Sequence, residues 1–222
     1  MRKYKPSSNP PQLPHALKEF KPKTKNQANY VRAISENQIT ICNGPAGSGK
    51  TVVSVAMACS YLKRQEVEKI IICRPIVESG KGLGYLPGAL DEKCAPFMIP
   101  IVECMYDYMG AMETEHLMHK KIIEVVPLEY MRGRNFHNSF MILDESQNAT
   151  IEQLKMFITR IGNHSKCVIN GDATQIDLPL IQAGGFFSLF TKLINIEDIS
   201  LIQLQHEDII RNRLISVILE RL

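Results

Sequence analysis

Eight consecutive residues have the types and the spacing of a phosphate-binding loop. The match to the pattern G-x-x-x-x-G-K-[ST] is complete and consists of Gly44, Pro45, Ala46, Gly47, Ser48, Gly49, Lys50 and Thr51. Glycines let the backbone curl so that successive N–H groups face phosphate oxygens. Lys50 is expected to reach the β- and γ-phosphates, and the Thr51 hydroxyl is expected to ligate Mg²⁺. The loop therefore predicts binding of a nucleoside triphosphate, with ATP and Mg²⁺ as the expected ligands.

Two adjacent acids, Asp144 and Glu145, end the apolar run 140–143. An Asp at the tip of such a strand can hold a water on Mg²⁺ opposite Thr51, and the following Glu can polarise the water that attacks the γ-phosphate. A kinase of small molecules has less need of the second acid than a hydrolase has. Together with the loop, the pair favours ATP hydrolysis, with Lys50 and Glu145 as catalytic residues.

The segment 168–175 is another apolar strand that meets a polar tip. Gln175 at its end is expected to hydrogen-bond the γ-phosphate or the attacking water, and so to sense which nucleotide is bound. In isolation an ordinary Gly-Asp turn is the better interpretation. However, the carboxyl ends of parallel strands form the ligand crevice of such sheets, so a third polar strand end favours the sensor.

Short apolar strands alternate with longer amphipathic runs, which predicts an α/β fold with a doubly wound, mostly parallel sheet. Continuous apolar runs are typical of strands covered on both faces. The predicted strands are 39–42, 70–73, 122–126, 140–143, 166–170 and 199–204. The predicted helices are 25–35 (capped by Thr24), 51–64, 100–118, 152–161 and 207–222, and residues 74–100 are expected to form a long loop or lid.

Residues 1–24 are rich in proline and basic residues and are predicted to form a flexible arm before the domain 25–222. Residues 1–32 hold eight Lys and Arg against one acid, Glu19, a net +7, so the chain's total of +3 leaves −4 for the remainder. Such an arm suits a polyanion, although a solvated tail explains the charge equally well. No apolar stretch suits a membrane span or a secretory signal, and a cytoplasmic protein is expected.

The cysteine and histidine positions do not predict a metal site or a nucleophilic triad. The six cysteines, at 42, 59, 73, 94, 104 and 167, show no C-x-x-C spacing. They are expected to be buried, reduced thiols.

Several longer motifs resemble those of the PhoH-like P-loop ATPases, and the resemblance covers about residues 25–222. The matching segments are 74–78 (RPIVE), 82–88 (GLGYLPG), 92–93 with Pro96, 130–134 (YMRGR), 143–148 (LDESQN) and 171–179 (GDATQIDLP). Asn135 and Ser146 depart from the family pattern, which usually has Thr and Ala there. Neither departure touches the expected ATP chemistry.

The resemblance implies a RecA-like, three-layer αβα domain, similar to the first motor domain of superfamily 1 helicases. It also implies ATP hydrolysis and an association with RNA or other single-stranded nucleic acid. By the same resemblance Gln27 is expected to read the adenine, as a Gln upstream of the loop does in those helicases. Without the resemblance, Gln27 is an ordinary surface residue.

A helicase motor holds ATP between two such domains and receives an arginine from the second, whereas this chain is expected to form one. The segment 205–211 resembles the helicase segment whose Arg contacts the γ-phosphate. Arg211 is therefore expected to complete an ATP site, either its own or that of a neighbour in a homo-oligomeric ring such as a hexamer. A surface Arg on the last helix is the equally weighted alternative.

Basic residues near the predicted strand ends are candidates for RNA contact through phosphates, which position a nucleic acid without reading its sequence. They are Arg74, Lys81, Arg132 and Arg134. Few aromatic residues accompany them, so binding of single strands by stacking has little support. Salt bridges within the loop explain these residues equally well.

Two functions of different classes follow from these residues. The favoured one is an ATPase that couples hydrolysis to RNA and acts as an oligomer. The alternative is a nucleotide-switched binding protein in which slow hydrolysis times assembly with partners. Nuclease activity is not predicted.

Overall fold

The computed structural model describes residues 18–75, 90–175 and 184–210. For residues 90–97 it describes only the backbone. Six strands alternate with helices in these ranges. The strands are β1 Ile39–Asn43, β2 Lys69–Arg74, β3 Ile123–Pro127, β4 Ser139–Leu143, β5 Lys166–Gly171 and β6 Ile199–Gln203. The α-helices are α1 Lys25–Glu36, α2 Lys50–Lys63, α3 Leu90–Met109, α4 Ala111–His119, α5 Ile151–Ile158 and α6 Gly185–Lys192.

The strands form one sheet in the order β3-β2-β4-β5-β1-β6, and every neighbouring pair is parallel. The doubly wound, parallel sheet of the sequence prediction is therefore confirmed. In a parallel sheet all carboxyl ends lie along one edge. That edge carries the phosphate-binding loop after β1, Asp144 after β4 and Asp172 after β5.

Two hydrophobic clusters cover the two faces of the sheet, because successive strand residues point to opposite sides. The cluster on one face includes Tyr30 of α1, Val53 of α2 and Met105 of α3. The cluster on the other face includes Phe157 of α5 and Phe186 of α6. Helices therefore cover both faces, which confirms the three-layer αβα architecture.

The beginning of the domain follows the predicted local signals. Thr24 caps α1, and its hydroxyl accepts a hydrogen bond from the Gln27 backbone N–H at 3.1 Å. Residues 18–24, the last part of the predicted arm, lie against the domain. Lys18 pairs with Asp107 at 3.1 Å, and Phe20 packs beside the Tyr108 ring.

The middle of the chain departs from the predicted elements. Helix α3 begins at Leu90, so the predicted loop 74–100 is wrong over its last part, and residues 76–89 lie outside the described ranges. The predicted helix 100–118 is in fact two helices, since Gly110 separates α3 from α4 with φ of 81°. The prediction begins this helix at Pro100 because the Gly and Pro content of residues 74–100 favoured a loop there. Instead Pro100 lies inside α3.

The C-terminal third also departs from the prediction. Helix α6 is absent from the prediction, because it has only eight residues and begins with a glycine, Gly185, directly after Gly184. The predicted helix 207–222 does not begin as expected: His206–Asp208 form a 3₁₀ turn and the chain continues irregularly to residue 210. Residues 211–222 lie outside the described ranges.

The described cysteines agree with the prediction of reduced thiols. Cys42, Cys59, Cys73 and Cys167 are free and buried, and Cys104 is free and half-buried. Burial raises the pKa of the Cys59 thiol to about 12 and that of Cys104 to about 11. These thiols are therefore protonated and unreactive at neutral pH. Within the described ranges, no helix is both long enough and apolar enough to cross a bilayer.

Candidate functional site

The phosphate-binding loop joins β1 to α2, and glycines permit its path. Gly47 and Gly49 have φ of 82° and 94°, in the left-handed region that other residues rarely adopt. Gly44 is required for a different reason: a Cβ there would lie 2.7 Å from the Cβ of Leu204, which follows β6. The loop is therefore curled at the positions where the motif places its glycines.

The Lys50 side chain folds back along this loop. Its Nζ donates hydrogen bonds to the carbonyl oxygens of Gly44 at 2.6 Å and Pro45 at 3.1 Å. The Ser48 hydroxyl donates to the same Pro45 carbonyl at 2.7 Å. The ammonium group is thus held at the loop itself, where it can meet an anion that the loop binds.

The first residues of α2 reach the tip of β4. The Thr51 hydroxyl donates to Oδ1 of Asp144 at 2.9 Å, although 93 residues separate the two in sequence. Asp144 is 2% exposed. Burial, and next the negative charge of Glu145, raise the pKa of the Asp144 carboxyl. A cation at this position would relieve both effects.

Thr51 and Asp144 fit a Mg²⁺ ion by their chemistry. Mg²⁺ prefers oxygen ligands and is usually bound by one or two protein groups together with water and substrate phosphates. A hydroxyl and a carboxylate oxygen 2.9 Å apart supply that donor set next to the phosphate-binding loop. In the described part of the chain, no group of three or more His, Cys, Asp and Glu gathers as an all-protein metal cage.

Glu145 is held on both sides of its carboxylate. Arg74, the last residue of β2, donates from Nη2 to Oε1 at 2.8 Å, and Gln147 donates from Nε2 to Oε2 at 2.6 Å. The Glu145 backbone has φ of 53°, which is unusual for a residue with a side chain. Backbone strain of this kind is common where a side chain is placed for function.

Gln147 connects the tips of β4 and β5. While its amide nitrogen bonds Glu145, its Oε1 accepts the backbone N–H of Asp172 at 3.0 Å. The turn that follows carries Gln175, whose side chain is exposed. This turn is also tied to β1, because the backbone N–H of Ala173 donates to Oδ1 of Asn43 at 2.9 Å. The structure therefore places Gln175 on a turn between the loop and the two acids.

A buried chain of hydrogen bonds lies beneath the Thr51–Asp144 pair. The Asn170 amide nitrogen donates to the Ser54 hydroxyl at 2.9 Å and to Oδ1 of Asp144 at 3.4 Å. The Tyr30 hydroxyl of α1 donates to Oδ1 of Asn170. Asn170, Tyr30 and Ser54 were missed by the sequence reasoning, as was the bridging role of Gln147. The available signal for Asn170 was a polar residue directly after the apolar run 167–169 of β5.

Gln27 lies in contact with the loop and is only 3% exposed. Its Nε2 donates to the Ser48 carbonyl at 2.9 Å, and its Oε1 accepts the Lys23 backbone N–H at 2.9 Å. A Cβ on Gly49 would lie 2.9 Å from the same Nε2. Both ends of the Gln27 amide are therefore engaged by the chain itself, next to the nucleotide loop.

The position of Gln27 leads to a test of whether it reads adenine. We expect Gln27→Ala to weaken ATP and GTP binding by a similar factor, about two- to tenfold for one lost hydrogen-bonding group. The reason is that the amide supports the loop, which contacts phosphates common to both nucleotides. Titration calorimetry with both nucleotides measures the ratio. A loss confined to ATP would contradict this expectation and support direct contact with the base.

Helix α1 also holds the chain after β6. The Asn26 side chain donates to Oδ2 of buried Asp208 at 2.9 Å, and the Gln205 backbone N–H donates to the same oxygen at 2.7 Å. Helix α1 therefore contacts three parts of the site. Asn26 binds the segment after β6, Gln27 binds the phosphate-binding loop, and Tyr30 binds the tip of β5. Arg211 and Lys81 lie outside the described residues.

The remaining candidate RNA contacts have different surroundings. Arg74 lies at the carboxyl edge of the sheet and pairs with Glu145. Arg134 donates to both oxygens of Glu124, the second residue of β3, at 2.8 and 2.7 Å, and lies over the Phe136 ring. The salt-bridge alternative thus describes the observed contacts of Arg134. Arg132 is exposed.

A cavity of about 420 Å³ opens beside the loop. Its lining includes the apolar side chains of Phe20, Val52 and Ile210 together with Gln27 and Gly49. A planar base attached to phosphates in the loop can enter such a pocket.

Two solved structures share this architecture at low sequence identity. The UvsW helicase from bacteriophage T4 has a TM-score of 0.51 at 16% identity, over 84% of this chain and 60% of that chain. The large terminase of a thermophilic bacteriophage has a TM-score of 0.55 at 12% identity, over 90% of this chain and 50% of that chain. At such identities the likeness concerns the fold alone, and it confirms the RecA-like fold.

Sequence comparison gives a closer relationship. The PhoH-like protein of Mycobacterium bovis is 46% identical over 203 residues, 91% of this chain and 58% of its own length. The PhoH-like protein of Bacillus subtilis is 44% identical over 91% of this chain and 64% of its length, and Protein PhoH of Escherichia coli is 37% identical over 85% and 54%. This chain thus matches less than two thirds of each relative's length. The family described as PhoH-like protein matches residues 19–222, and the chain belongs to that family.

Proposed function

We propose that this domain binds ATP with Mg²⁺ and hydrolyses it, and that hydrolysis is coupled to RNA in an oligomer. The observation that supports the first part most directly is the 2.9 Å contact between Thr51 and Asp144. It joins the phosphate-binding loop to a second strand tip that carries two acids. This arrangement suits transfer of a phosphoryl group to water.

Each residue has one task in the proposed reaction. Loop N–H groups and Lys50 bind the phosphates. Thr51 and Asp144 would hold Mg²⁺, and a bound ion would neutralise charge on the phosphate oxygens. Glu145 accepts the proton of the attacking water as general base. Gln175 hydrogen-bonds the γ-phosphate or that water. The cavity beside Val52 and Ile210 receives the base.

RNA coupling is supported by one contact of the site. Arg74 is a candidate contact for an RNA phosphate, and its guanidinium also pairs with the general base, Glu145, at 2.8 Å. An RNA phosphate that draws Arg74 away would free one side of the Glu145 carboxylate. The excess of Lys and Arg in residues 1–32 adds sequence-independent attraction for RNA. Arg211 from a neighbouring copy is the proposed reason for oligomerisation.

The same contact favours a second candidate function. Arg74 and Gln147 both hydrogen-bond the carboxylate of the general base, Glu145. A protein with its base held in this way is expected to hydrolyse ATP slowly. In the absence of an RNA effect, such a protein would serve as a nucleotide-switched binding protein that changes partners at each turnover.

ATP turnover with and without RNA tests the proposal. Phosphate release is measured with Mg-ATP alone and with single-stranded RNA of mixed sequence, and mass is followed by light scattering in both conditions. RNA-stimulated turnover by an oligomer supports the ATPase coupled to RNA. Slow turnover that RNA leaves unchanged supports the switch. A folded protein that neither binds nor hydrolyses ATP contradicts both.

Arg74 gives a specific prediction for the coupling. We expect Arg74→Ala to raise the turnover rate without RNA up to about fivefold, because a partly exposed ion pair is worth about 0.2–1 kcal/mol. RNA should then stimulate the variant much less than the wild type. Arg134→Ala is the matched control, because it removes an Arg–Glu pair that does not involve Glu145. A fall in the Arg74→Ala rate would show instead that Arg74 supports the reaction.

A further inference from the structure

A buried chain of hydrogen bonds lies below Thr51 and Asp144, and the donor and the acceptor of each bond can be assigned. A serine hydroxyl carries one hydrogen, and Ser54 donates it to the Thr51 carbonyl at 3.0 Å. Ser54 must therefore accept from the Asn170 amide nitrogen at 2.9 Å. This fixes the Asn170 amide with its NH₂ group toward Ser54 and Asp144, and its oxygen toward the Tyr30 hydroxyl.

The chain ends at the Asp144 carboxylate. Oδ1 of Asp144 receives hydrogen bonds from Thr51 at 2.9 Å and from Asn170 at 3.4 Å. Tyr30 and Asn170 are 0% exposed, so water does not compete for these bonds. Two donors on one oxygen orient the carboxylate, as partners of metal ligands generally do.

We propose that Asn170 is a positioning residue that turns the Asp144 carboxylate toward the metal site, and that Tyr30 of α1 keeps the Asn170 amide in the required orientation. This inference rests on the proposed function, since it requires Mg²⁺ at Thr51 and Asp144. The hydrogen bonds of Asn170 go to Ser54 and Asp144, and that of Tyr30 goes to Asn170. Both act through Asp144.

Metal binding, measured without turnover, tests the assignment. Mn²⁺ takes the same oxygen ligands as Mg²⁺, and its binding to the ADP-loaded protein can be followed by electron paramagnetic resonance. Asn170→Ala should lower Mn²⁺ affinity about 10- to 100-fold, the range for partners of metal ligands. Its affinity for ADP in the presence of EDTA should remain that of the wild type, because the phosphate-binding loop is unchanged.

Tyr30→Phe is the second variant, because it keeps the packed ring and removes only the hydroxyl. It should lower Mn²⁺ affinity about two- to tenfold, as one hydrogen bond is lost, with metal-free ADP affinity again unchanged. It answers the question even if Asn170→Ala does not fold. Equal Mn²⁺ affinity in Tyr30→Phe and wild type, or a parallel loss of metal-free ADP binding, would overturn the proposal.

The wild-type protein separates this inference from the proposed function. If the wild type binds ADP and Mn²⁺ while Tyr30→Phe matches it, the roles of Asn170 and Tyr30 are refuted and the proposed function is not. If the folded wild type binds no ADP, the proposed function fails and the role of Asn170 is refuted with it.

Discussion

Lys50→Ala should bind nucleotide poorly and lose most of its ATP turnover. Removing one preorganised donor from a site of developing negative charge costs on the order of 10²–10³ in kcat. The Lys50 ammonium also lies against the Gly44 and Pro45 carbonyls, so it is part of the loop that holds the phosphates. A non-hydrolysable ATP analogue with Mg²⁺ should raise the unfolding midpoint of the wild type, because a ligand that binds only the folded state stabilises it. The variant should show little or no rise.

Lys166→Ala is a matched control for this variant. The Lys166 ammonium also donates to backbone carbonyls, those of Ile34 at 2.9 Å, Ser35 at 2.7 Å and Asn37 at 2.9 Å. However, it lies at the start of β5, at the sheet edge opposite the loop. Lys166→Ala should lower the unfolding midpoint without nucleotide and keep the nucleotide-dependent rise. If the ATP analogue raises the unfolding midpoint of Lys50→Ala as much as that of the wild type, the assignment of the ATP site loses its basis.

Glu145→Gln should bind ATP nearly as well as the wild type and hydrolyse it far more slowly. The amide keeps the shape of the side chain but cannot accept a proton from water. Loss of a general base typically costs about 10²–10⁴ in rate. Single-turnover hydrolysis gives the rate, and titration with the non-hydrolysable analogue gives the affinity. A rate within a few-fold of the wild type would exclude Glu145 as the base.

The control for Glu145→Gln is Glu124→Gln. Both carboxylates are paired with an arginine, Glu145 with Arg74 at 2.8 Å and Glu124 with Arg134 at 2.7 Å. Glu124 lies near the start of β3, so its replacement should leave turnover unchanged. In Glu145→Gln the new NH₂ group must face a donor of either Arg74 or Gln147. The unfolding midpoint of both variants therefore has to be compared, so that a local change in packing is not mistaken for lost catalysis.

The features that were predictable depend on short segments of sequence. The phosphate-binding loop is read from eight residues, and its glycines at 47 and 49 have the positive φ that such a curl requires. Thr24 precedes a helix with the spacing of an N-cap, and it caps that helix. The strands were recognisable as apolar runs, because a parallel sheet covered on both faces needs them. The boundaries of all six described strands agree with the prediction to within one residue.

The features that were not predictable depend on the order of the strands. Arg74 meets Glu145 because β2 lies beside β4, and Gln147 meets Asp172 because β4 lies beside β5. Tyr30 and Asn170 are 140 residues apart in sequence and meet only after α1 packs on the sheet. No local pattern records such neighbours. Helix α3 was shortened in the prediction because the Gly and Pro content of residues 74–100 favoured a loop, whereas the helix begins at Leu90 and contains Pro100.

The three hydrogen bonds from Asn26, Gln27 and Tyr30 of α1 limit where the chain can gain or lose residues. Asn26, Gln27 and Tyr30 share one helix face, since residues three and four apart lie side by side. Each residue added to or removed from a helix rotates everything beyond it by about 100°. An insertion or deletion between Gln27 and Tyr30 would therefore turn one of them away from its partner, Ser48 or Asn170. Natural variants of this domain should accordingly vary in length outside this helical turn.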